Sequence, residues 1–117
     1  MLPTHSKARI FVHQFDTDMR KSFDGLSAIV QNAFGKSILS GDLFVFFNRA
    51  SDRCKILQWD RDGLIVWAKR LERGGFQRPQ PKSADAAIEI DNITLSMILA
   101  GVDLHSAKRR KRFTGAA

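Results

Sequence analysis

The stretch that decides the fold covers residues 40–79 and reads SGDLFVFFNRASDRCKILQWDRDGLIVWAKRLERGGFQRP. Its apolar residues fall into three runs separated by polar turns, a pattern typical of consecutive antiparallel strands. The first run contains no polar residue, which indicates a strand covered on both faces. The three predicted strands span residues 43–47, 54–59 and 64–69. They should be neighbours in one sheet, because sequential hairpins pair locally.

The tetrapeptide DRDG, which ends at Gly63, predicts the hairpin turn between the second and third strands. We expect Gly63 to adopt the positive φ that closes this turn. If Trp59 lies opposite Leu64, then Arg53 lies opposite Arg70 on the paired strand. Like charges directly opposite each other are unfavourable, so this register implies an anion near the two arginines.

The rest of the chain predicts an α+β protein. A strand is expected at residues 9–14 and another at residues 87–90. The spacing of apolar residues predicts an amphipathic helix over residues 19–34, with Asp16 and Asp18 as its capping side chains. A second, short helix should extend through Ala100, with Asn92 as its cap and Gly101 ending it, and should turn Ile93, Met97, Leu99 and Ala100 inward. The fold class expected is therefore a twisted antiparallel sheet of four or five strands, with one long amphipathic helix on one face and a short C-terminal helix near an edge.

The 117 residues carry a net charge of +7 that is unevenly distributed. Residues 48–82 hold nine cationic and four acidic residues, a balance of +5. Residues 83–104 hold four acids and no cation, a balance of −4, whereas residues 105–117 hold five cations. We expect residues 1–104 to form a single domain and residues 105–117 to be a disordered basic tail. This segregation favours a polyanionic partner, with nucleic acid (DNA before RNA) as the predicted one.

The candidate nucleic-acid-binding residues are cations of the tail and of residues 48–82. We call this second region, which contains the second and third predicted strands, the strand ribbon. The alternative for the ribbon is an internal network in which Glu72 or Asp52 neutralises Arg53 and Arg70. The predicted contacts are Arg49, Arg53, Lys55, Lys69, Arg70 and Arg73 on the ribbon, and Lys108, Arg109, Arg110, Lys111 and Arg112 on the tail.

Other kinds of site receive little support from the sequence. Asp16, Asp18 and Asp24 are better explained by helix capping and exposure than by metal-dependent catalysis. The three histidines lack ligand spacing, and one cysteine, Cys54, fits a small buried residue better than a nucleophile. We therefore expect no metal, no cofactor and no enzymatic activity. With no apolar run near ~20 residues and no signal-peptide pattern, a bacterial cytoplasmic location without membrane contact is expected.

Trp59 and Trp67 should point to opposite faces of the ribbon. Trp59 shares a face with Leu64, which lies opposite it, and Trp67 follows Leu64 by three residues on a strand whose side chains alternate between faces. One is expected in the core, while the other is available to stack on a base or on a protein partner. The sequence leaves open which tryptophan has which role.

Several separated blocks carry a family resemblance over roughly residues 8–104. They are Thr17-Asp18-Met19-Arg20-Lys21, Phe23-Asp24-Gly25-Leu26, Ser40-Gly41-Asp42-Leu43-Phe44-Val45-Phe46, Asn48-Arg49, Lys55-Ile56-Leu57, Trp59-Asp60, Asp62-Gly63 and Lys69-Arg70-Leu71-Glu72-Arg73-Gly74, followed by Phe76 and Pro79. The chain resembles the small accessory proteins, often called TnpB, that the second open reading frame encodes in the bacterial insertion sequences numbered sixty-six. It departs from them at Gln58, where the family often has Tyr, and at Ala68, where it usually has an aromatic residue.

The resemblance implies a role in DNA transposition beside a separate, larger transposase. Combined with the charge pattern, it predicts a non-catalytic accessory factor that binds nucleic acid through the strand ribbon and the tail. Two alternatives remain open: a protein-interaction module that docks on the transposase or another accessory subunit, and a small metal-independent ribonuclease. Oligomeric state is also open.

Overall fold

Five strands form one mixed sheet in the computed structural model, which describes residues 7–104. The strand order is β4-β3-β2-β1-β5, so β4 and β5 are the edges. The α+β class and the count of strands confirm the prediction. Along the chain the elements are β1 (Ile10–His13), α1 (Phe23–Asn32), a 3-10 helix (Ile38–Ser40), β2 (Leu43–Phe47), β3 (Arg53–Asp60), β4 (Gly63–Arg70), β5 (Ala87–Ile90) and α2 (Asn92–Ala100).

One strand pair departs from the antiparallel sheet that the sequence predicts. β1 runs parallel to β2, with Ile10 opposite Leu43, whereas β5 runs antiparallel to the other side of β1. The chain between β1 and β2 contains α1, and a helical crossover of this kind allows successive strands to run in the same direction. The three remaining pairs of neighbouring strands are antiparallel.

The central strand β2 separates two hydrophobic clusters. Phe44 and Phe46 point to the face covered by α1, which we call the first face. Leu43, Val45 and Phe47 point to the second face, where α2 packs. All five side chains are fully buried, which explains the unbroken apolar run in the sequence. Burial of each side chain of this size contributes about 1.5–3 kcal/mol.

The predicted hairpin register is confirmed. Trp59 pairs with Leu64 and Arg53 with Arg70, as the alternation of residues indicated. The turn itself differs from the prediction, because Arg61 holds the positive φ of 50° and Gly63 does not. Gly63 instead pairs with Asp60 as the first residue of β4.

Helix α1 is shorter than the predicted helix over residues 19–34. It begins at Phe23 after Ser22, and no side chain caps it. The predicted capping by Asp16 and Asp18 is therefore wrong: Asp18 binds Arg20 instead, and Asp16 binds Arg78. The central residues of the predicted stripe, Leu26 and Val30, are fully buried as expected, whereas Phe23 is exposed.

Helix α2 ends at Ala100 as predicted, but it already includes Asn92, which was predicted as its cap, and it buries a different face. Asp91, not Asn92, is its N-cap, accepting a hydrogen bond from the Thr94 amide at 2.8 Å. Leu95 and Ile98 face the sheet, while Ile93 is 71% exposed. The predicted inward position of Ile93, and likewise that of Ala100, is therefore wrong. Gly101 ends the helix with φ 80°, as predicted.

Residues 105–117, predicted as a disordered tail, lie outside the described residues. Across residues 7–104, no helix has the length and apolar character needed to cross a bilayer.

Candidate nucleic-acid interface

A groove of about 450 Å³ opens at the end of the β3–β4 hairpin that lies farthest from its turn. Its lining includes one acidic and four basic residues together with apolar ones, but the Lys69 side chain is directed away from it, to the second face. The residues that line it are Met19, Arg53, Cys54, Lys55, Ala68, Lys69, Arg70 and Glu72. Three of the six predicted ribbon cations therefore place their side chains in the groove, namely Arg53, Lys55 and Arg70.

The two arginines that face each other across the hairpin differ in their partners. Arg70 forms an ion pair with Glu72 at 3.3 Å, in which both side chains are well exposed. Arg53 is exposed, and its guanidinium has no hydrogen-bond or ion-pair partner within residues 7–104. Asp52, the other predicted neutralising residue, accepts a hydrogen bond from the Asn48 side chain at 2.7 Å. The groove therefore keeps an excess of positive charge.

Lys55 has a structural role in the groove. Its Nζ donates hydrogen bonds to the backbone oxygens of Met19 and Lys21, both at 2.8 Å. These bonds hold the segment before α1 against β3 and fix Met19 as one wall of the groove. Only one of its three donors is left for an external anion.

The segment before α1 also contains an internal salt bridge between Asp18 and Arg20. Arg20 Nη2 lies 2.6 Å from Asp18 Oδ2, and hydrogen bonds from Arg20 lower the pKa of Asp18 to about 2. Lys21 is exposed beside this pair. The motif Asp18-Met19-Arg20-Lys21 thus forms an ordered turn next to the groove, where the sequence predicted the first turn of a helix.

His13 supports this turn from inside the protein. Its Nδ1 lies 3.2 Å from the Thr17 hydroxyl, and the Thr17 amide donates to the Phe47 carbonyl at 2.8 Å. Burial lowers the pKa of His13, and the positive charge of Arg78 lowers it further. The neutral imidazole is therefore favoured at this position.

The loop between β2 and β3 is held by the Asn48 side chain. Its oxygen accepts hydrogen bonds from the amides of Asp52 and Arg53 at 3.1 and 3.0 Å. Ser51 adopts a positive φ of 56°, and its carbonyl accepts the Phe76 amide at 2.7 Å. This network fixes the start of β3 and therefore the backbone position of Arg53.

The remaining predicted cations fall outside this arrangement or have other contacts. Lys69 is on the second face and donates to the Leu99 carbonyl at 3.2 Å, near the C-terminal end of α2, where cations are favourable. Arg49 and Arg73 are exposed but do not line the groove. The tail cations at residues 108–112 lie outside the described residues.

Neither tryptophan lines the groove. Trp67 is partly buried against the hydrophobic cluster of the second face. Trp59 is partly exposed near the opposite end of β3. Trp67 is therefore the tryptophan that packs against the core.

The described residues offer little for metal or thiol chemistry. Within residues 7–104, no group of three or more His, Cys, Asp or Glu side chains could hold a metal ion. Burial raises the pKa of the Cys54 thiol to about 12, so the thiol stays protonated at neutral pH. Since the thiolate is the reactive form, Cys54 is poorly suited to act as a nucleophile.

Sequence reasoning missed Met19 as a groove residue and Arg78 as a structural cation. Met19 was assigned to the apolar stripe of the first helix. Arg78 counted toward the basic ribbon, but its guanidinium donates to Asp16 at 2.7 Å and to the Gln14 carbonyl at 2.9 Å. The acidic residues near the start of the chain were the only signal for this pairing.

Fold and groove together define a small α+β protein with a cationic groove at the open end of its hairpin. The family described as IS66 Orf2-like protein, TnpB, matches residues 8–109. The chain belongs to this family. It is 36% identical over 103 residues to the uncharacterized protein y4hO of Sinorhizobium fredii (strain NBRC 101917 / NGR234), a match that covers 88% of each chain. The uncharacterized protein y4jC of the same strain is 35% identical over 102 residues, covering 87% of this chain and 86% of the relative. No solved structure matches.

Proposed function

We propose that this protein is a non-catalytic accessory factor in insertion-sequence transposition and that it binds nucleic acid through the groove. Membership of the IS66 Orf2-like family supports the transposition context. One observation carries the binding proposal: Arg53 lies directly opposite Arg70 and has no acidic partner within residues 7–104. A phosphate placed over the two guanidiniums would remove their repulsion.

Arginine is well suited to this role, because its planar guanidinium can donate two parallel hydrogen bonds to a phosphate. Contacts of this kind position a protein on nucleic acid without reading its sequence. The exposed Arg49 and Arg73 extend the positive surface available to a strand, and the tail at residues 108–112 adds five cations to the chain. DNA is the proposed partner, in keeping with the family.

A binding titration tests the proposal. Labelled duplexes carrying the terminal repeat of the element, or a scrambled sequence, would be titrated over a range of salt concentrations. Binding to both duplexes, with an affinity that falls as salt rises, is expected from phosphate contacts. No binding at any salt concentration would refute nucleic acid as the partner.

The absence of catalysis is tested separately. The protein would be incubated with RNA and with single- and double-stranded DNA, with magnesium, manganese or a chelator. No cleavage is expected. Cleavage that depends on metal and is lost in Asp18→Ala or Asp24→Ala would contradict the non-catalytic assignment. Cleavage of RNA without metal would favour the ribonuclease alternative.

A second candidate function is docking on the transposase, and the outer face of α2 favours it. Ile93, Met97, Ala100 and Val102 contribute to an apolar cleft of about 390 Å³. The surrounding segment, residues 83–104, carries four acids and no cation. A transposase segment with apolar side chains flanked by cations would complement this surface.

Capture of the transposase by tagged protein, with and without nuclease treatment, separates the two functions. Ile93→Ser should abolish capture if α2 is the docking surface. Leu39→Ser is the matched control, because Leu39 is also exposed but lies on the 3-10 helix. Capture that disappears only after nuclease treatment would show that nucleic acid bridges the two proteins and would refute docking through α2.

A further inference from the structure

The groove combines an apolar wall with a positively charged wall, and a ligand that has both an apolar ring and a phosphate would fit this combination. Met19 and Ala68 provide apolar surface, while Arg53 and Arg70 provide positive charge. We propose that the groove holds a single unpaired nucleotide, with its phosphate on the two arginines and its base against Met19. This inference rests on the proposed nucleic-acid binding and narrows it to strands with unpaired bases.

The arginine end of the groove has the geometry for one phosphate. Residues directly opposite each other in an antiparallel pair have Cβ atoms about 4.5–5.5 Å apart, so the side chains of Arg53 and Arg70 can converge on one group. Glu72 pairs with Arg70 at 3.3 Å and would repel a phosphate near it. The phosphate would therefore lie toward Arg53, which has no acidic partner within the described residues.

The apolar end of the groove suits a base. The Met19 backbone is held by the Lys55 hydrogen bond at 2.8 Å, so the wall is in place before a ligand arrives. A thioether makes favourable contacts with aromatic rings, and the side chain of Ala68 opposite Lys55 is exposed and leaves room.

The groove suits an unpaired base better than a base that is stacked inside a duplex. Its volume of about 450 Å³ falls in the range of sites that take small molecules, about 300–1,000 Å³. Bases inside a duplex are stacked and cannot present a ring face to Met19, whereas unpaired bases can be splayed out. We therefore expect a preference for single-stranded ends or gaps over blunt duplex.

The test compares two duplexes that differ only in whether their single-stranded extension carries bases. Each carries a single-stranded extension of about four nucleotides, within the range of single-strand binding sites. One extension bears normal bases and the other bears abasic sugars, so the phosphates are the same in number. Fluorescence anisotropy at fixed salt concentration should show about two- to tenfold tighter binding to the extension with bases.

Variants assign the preference to the groove. Met19→Ala should abolish the difference between the two extensions, and Met19→Leu should keep most of it. Arg53→Gln should weaken binding to both extensions by the same factor. Ala68→Glu places a carboxylate in the groove at an exposed position, so it should abolish the preference without disturbing the fold, even if Met19→Ala proves unstable.

Three results would overturn the inference in different ways. Equal binding of the two extensions by the wild-type protein, weakened by Arg53→Gln, would leave nucleic-acid binding in place and remove the nucleotide site. A preference unchanged by both Met19→Ala and Ala68→Glu would place the base contact elsewhere. Binding to neither extension would refute the proposed function as well.

Discussion

Removing the positive charge of Arg53 should weaken nucleic-acid binding without weakening the fold. In Arg53→Gln the long side chain is nearly retained, but the repulsion from Arg70 across the hairpin is lost. Like-charge pairs at this position cost about 0.2–1 kcal/mol, and solvent screening reduces that cost for exposed side chains. The free energy of unfolding should therefore be unchanged or raised by up to about 0.5 kcal/mol.

The expected loss of affinity follows from counterion release. Each phosphate contact on duplex DNA contributes about −0.9 to the slope of log K against log salt concentration. At about 0.1 M salt, one lost contact therefore costs about 0.9 decades of affinity, or roughly 1.2 kcal/mol. Arg53→Gln should bind about eightfold more weakly at that salt concentration, with the slope smaller in magnitude by about 0.9.

Two further variants are compared with Arg53→Gln: Arg70→Gln, which changes the other arginine of the groove, and Arg61→Gln, which is a control outside the groove. Arg70→Gln removes both the repulsion from Arg53 and the exposed ion pair with Glu72, which are small and opposite contributions. Stability should therefore change by less than about 0.5 kcal/mol in either direction, while affinity falls. Arg61 is an exposed arginine in the turn at the other end of the ribbon, and its replacement should leave the salt slope unchanged. Urea denaturation and salt-controlled titrations measure both quantities. A destabilised Arg53→Gln that binds normally would show that Arg53 stabilises the fold and does not contact phosphate.

Three further predictions concern other parts of the protein. Deleting residues 105–117 removes five cations, so the magnitude of the salt slope should fall by at most about 4.5. Lys55→Met removes two hydrogen bonds to backbone carbonyls and should lower the free energy of unfolding in urea by about 1–3 kcal/mol. The depressed pKa of His13 should make stability fall as pH drops below 6.5, because the unfolded chain then binds the proton that the folded protein excludes.

Each of these predictions has a result that would contradict it. A salt slope unchanged by the deletion would show that the tail does not contact nucleic acid. Unaltered stability of Lys55→Met would mean that the turn before α1 is held by other contacts. For His13, the control is His13→Phe, which should flatten the decline in stability between pH 6.5 and the lowered folded pKa. An equally steep decline in that variant would assign the pH dependence to another group.

The hairpin shows what local sequence patterns determine. Alternating apolar residues and a short polar turn were enough to predict the pairing of Trp59 with Leu64 and of Arg53 with Arg70, because a slip by one residue would reverse every side chain. The turn conformation was not predicted, since Arg61 rather than Gly63 takes the positive φ. Register depends on the whole strand, whereas the φ of one residue depends on a few local contacts.

The two helices show what the sequence could not determine. Lys55 holds the segment before α1 through a hydrogen bond to Met19 that spans 36 residues, and such a contact leaves no periodic signal in the sequence. The buried face of α2 was misassigned because apolar residues occur on most of its sides, so periodicity cannot fix its orientation. The groove itself combines three distant segments. The sequence predicted that Arg53, Arg70 and Glu72 would lie near one another, but it did not predict Met19 as their neighbour.

Mapping of backbone amide signals by NMR during titration with a single-stranded oligonucleotide tests whether the groove binds nucleic acid. We expect the shifted signals to cluster at Met19, at Arg53 and along residues 68–72, which come together at the groove. Signals of α2 and of the turn at Arg61 should stay in place. Shifts confined to α2 or to residues 105–117, with the groove signals unchanged, would show that the groove is not the nucleic-acid site.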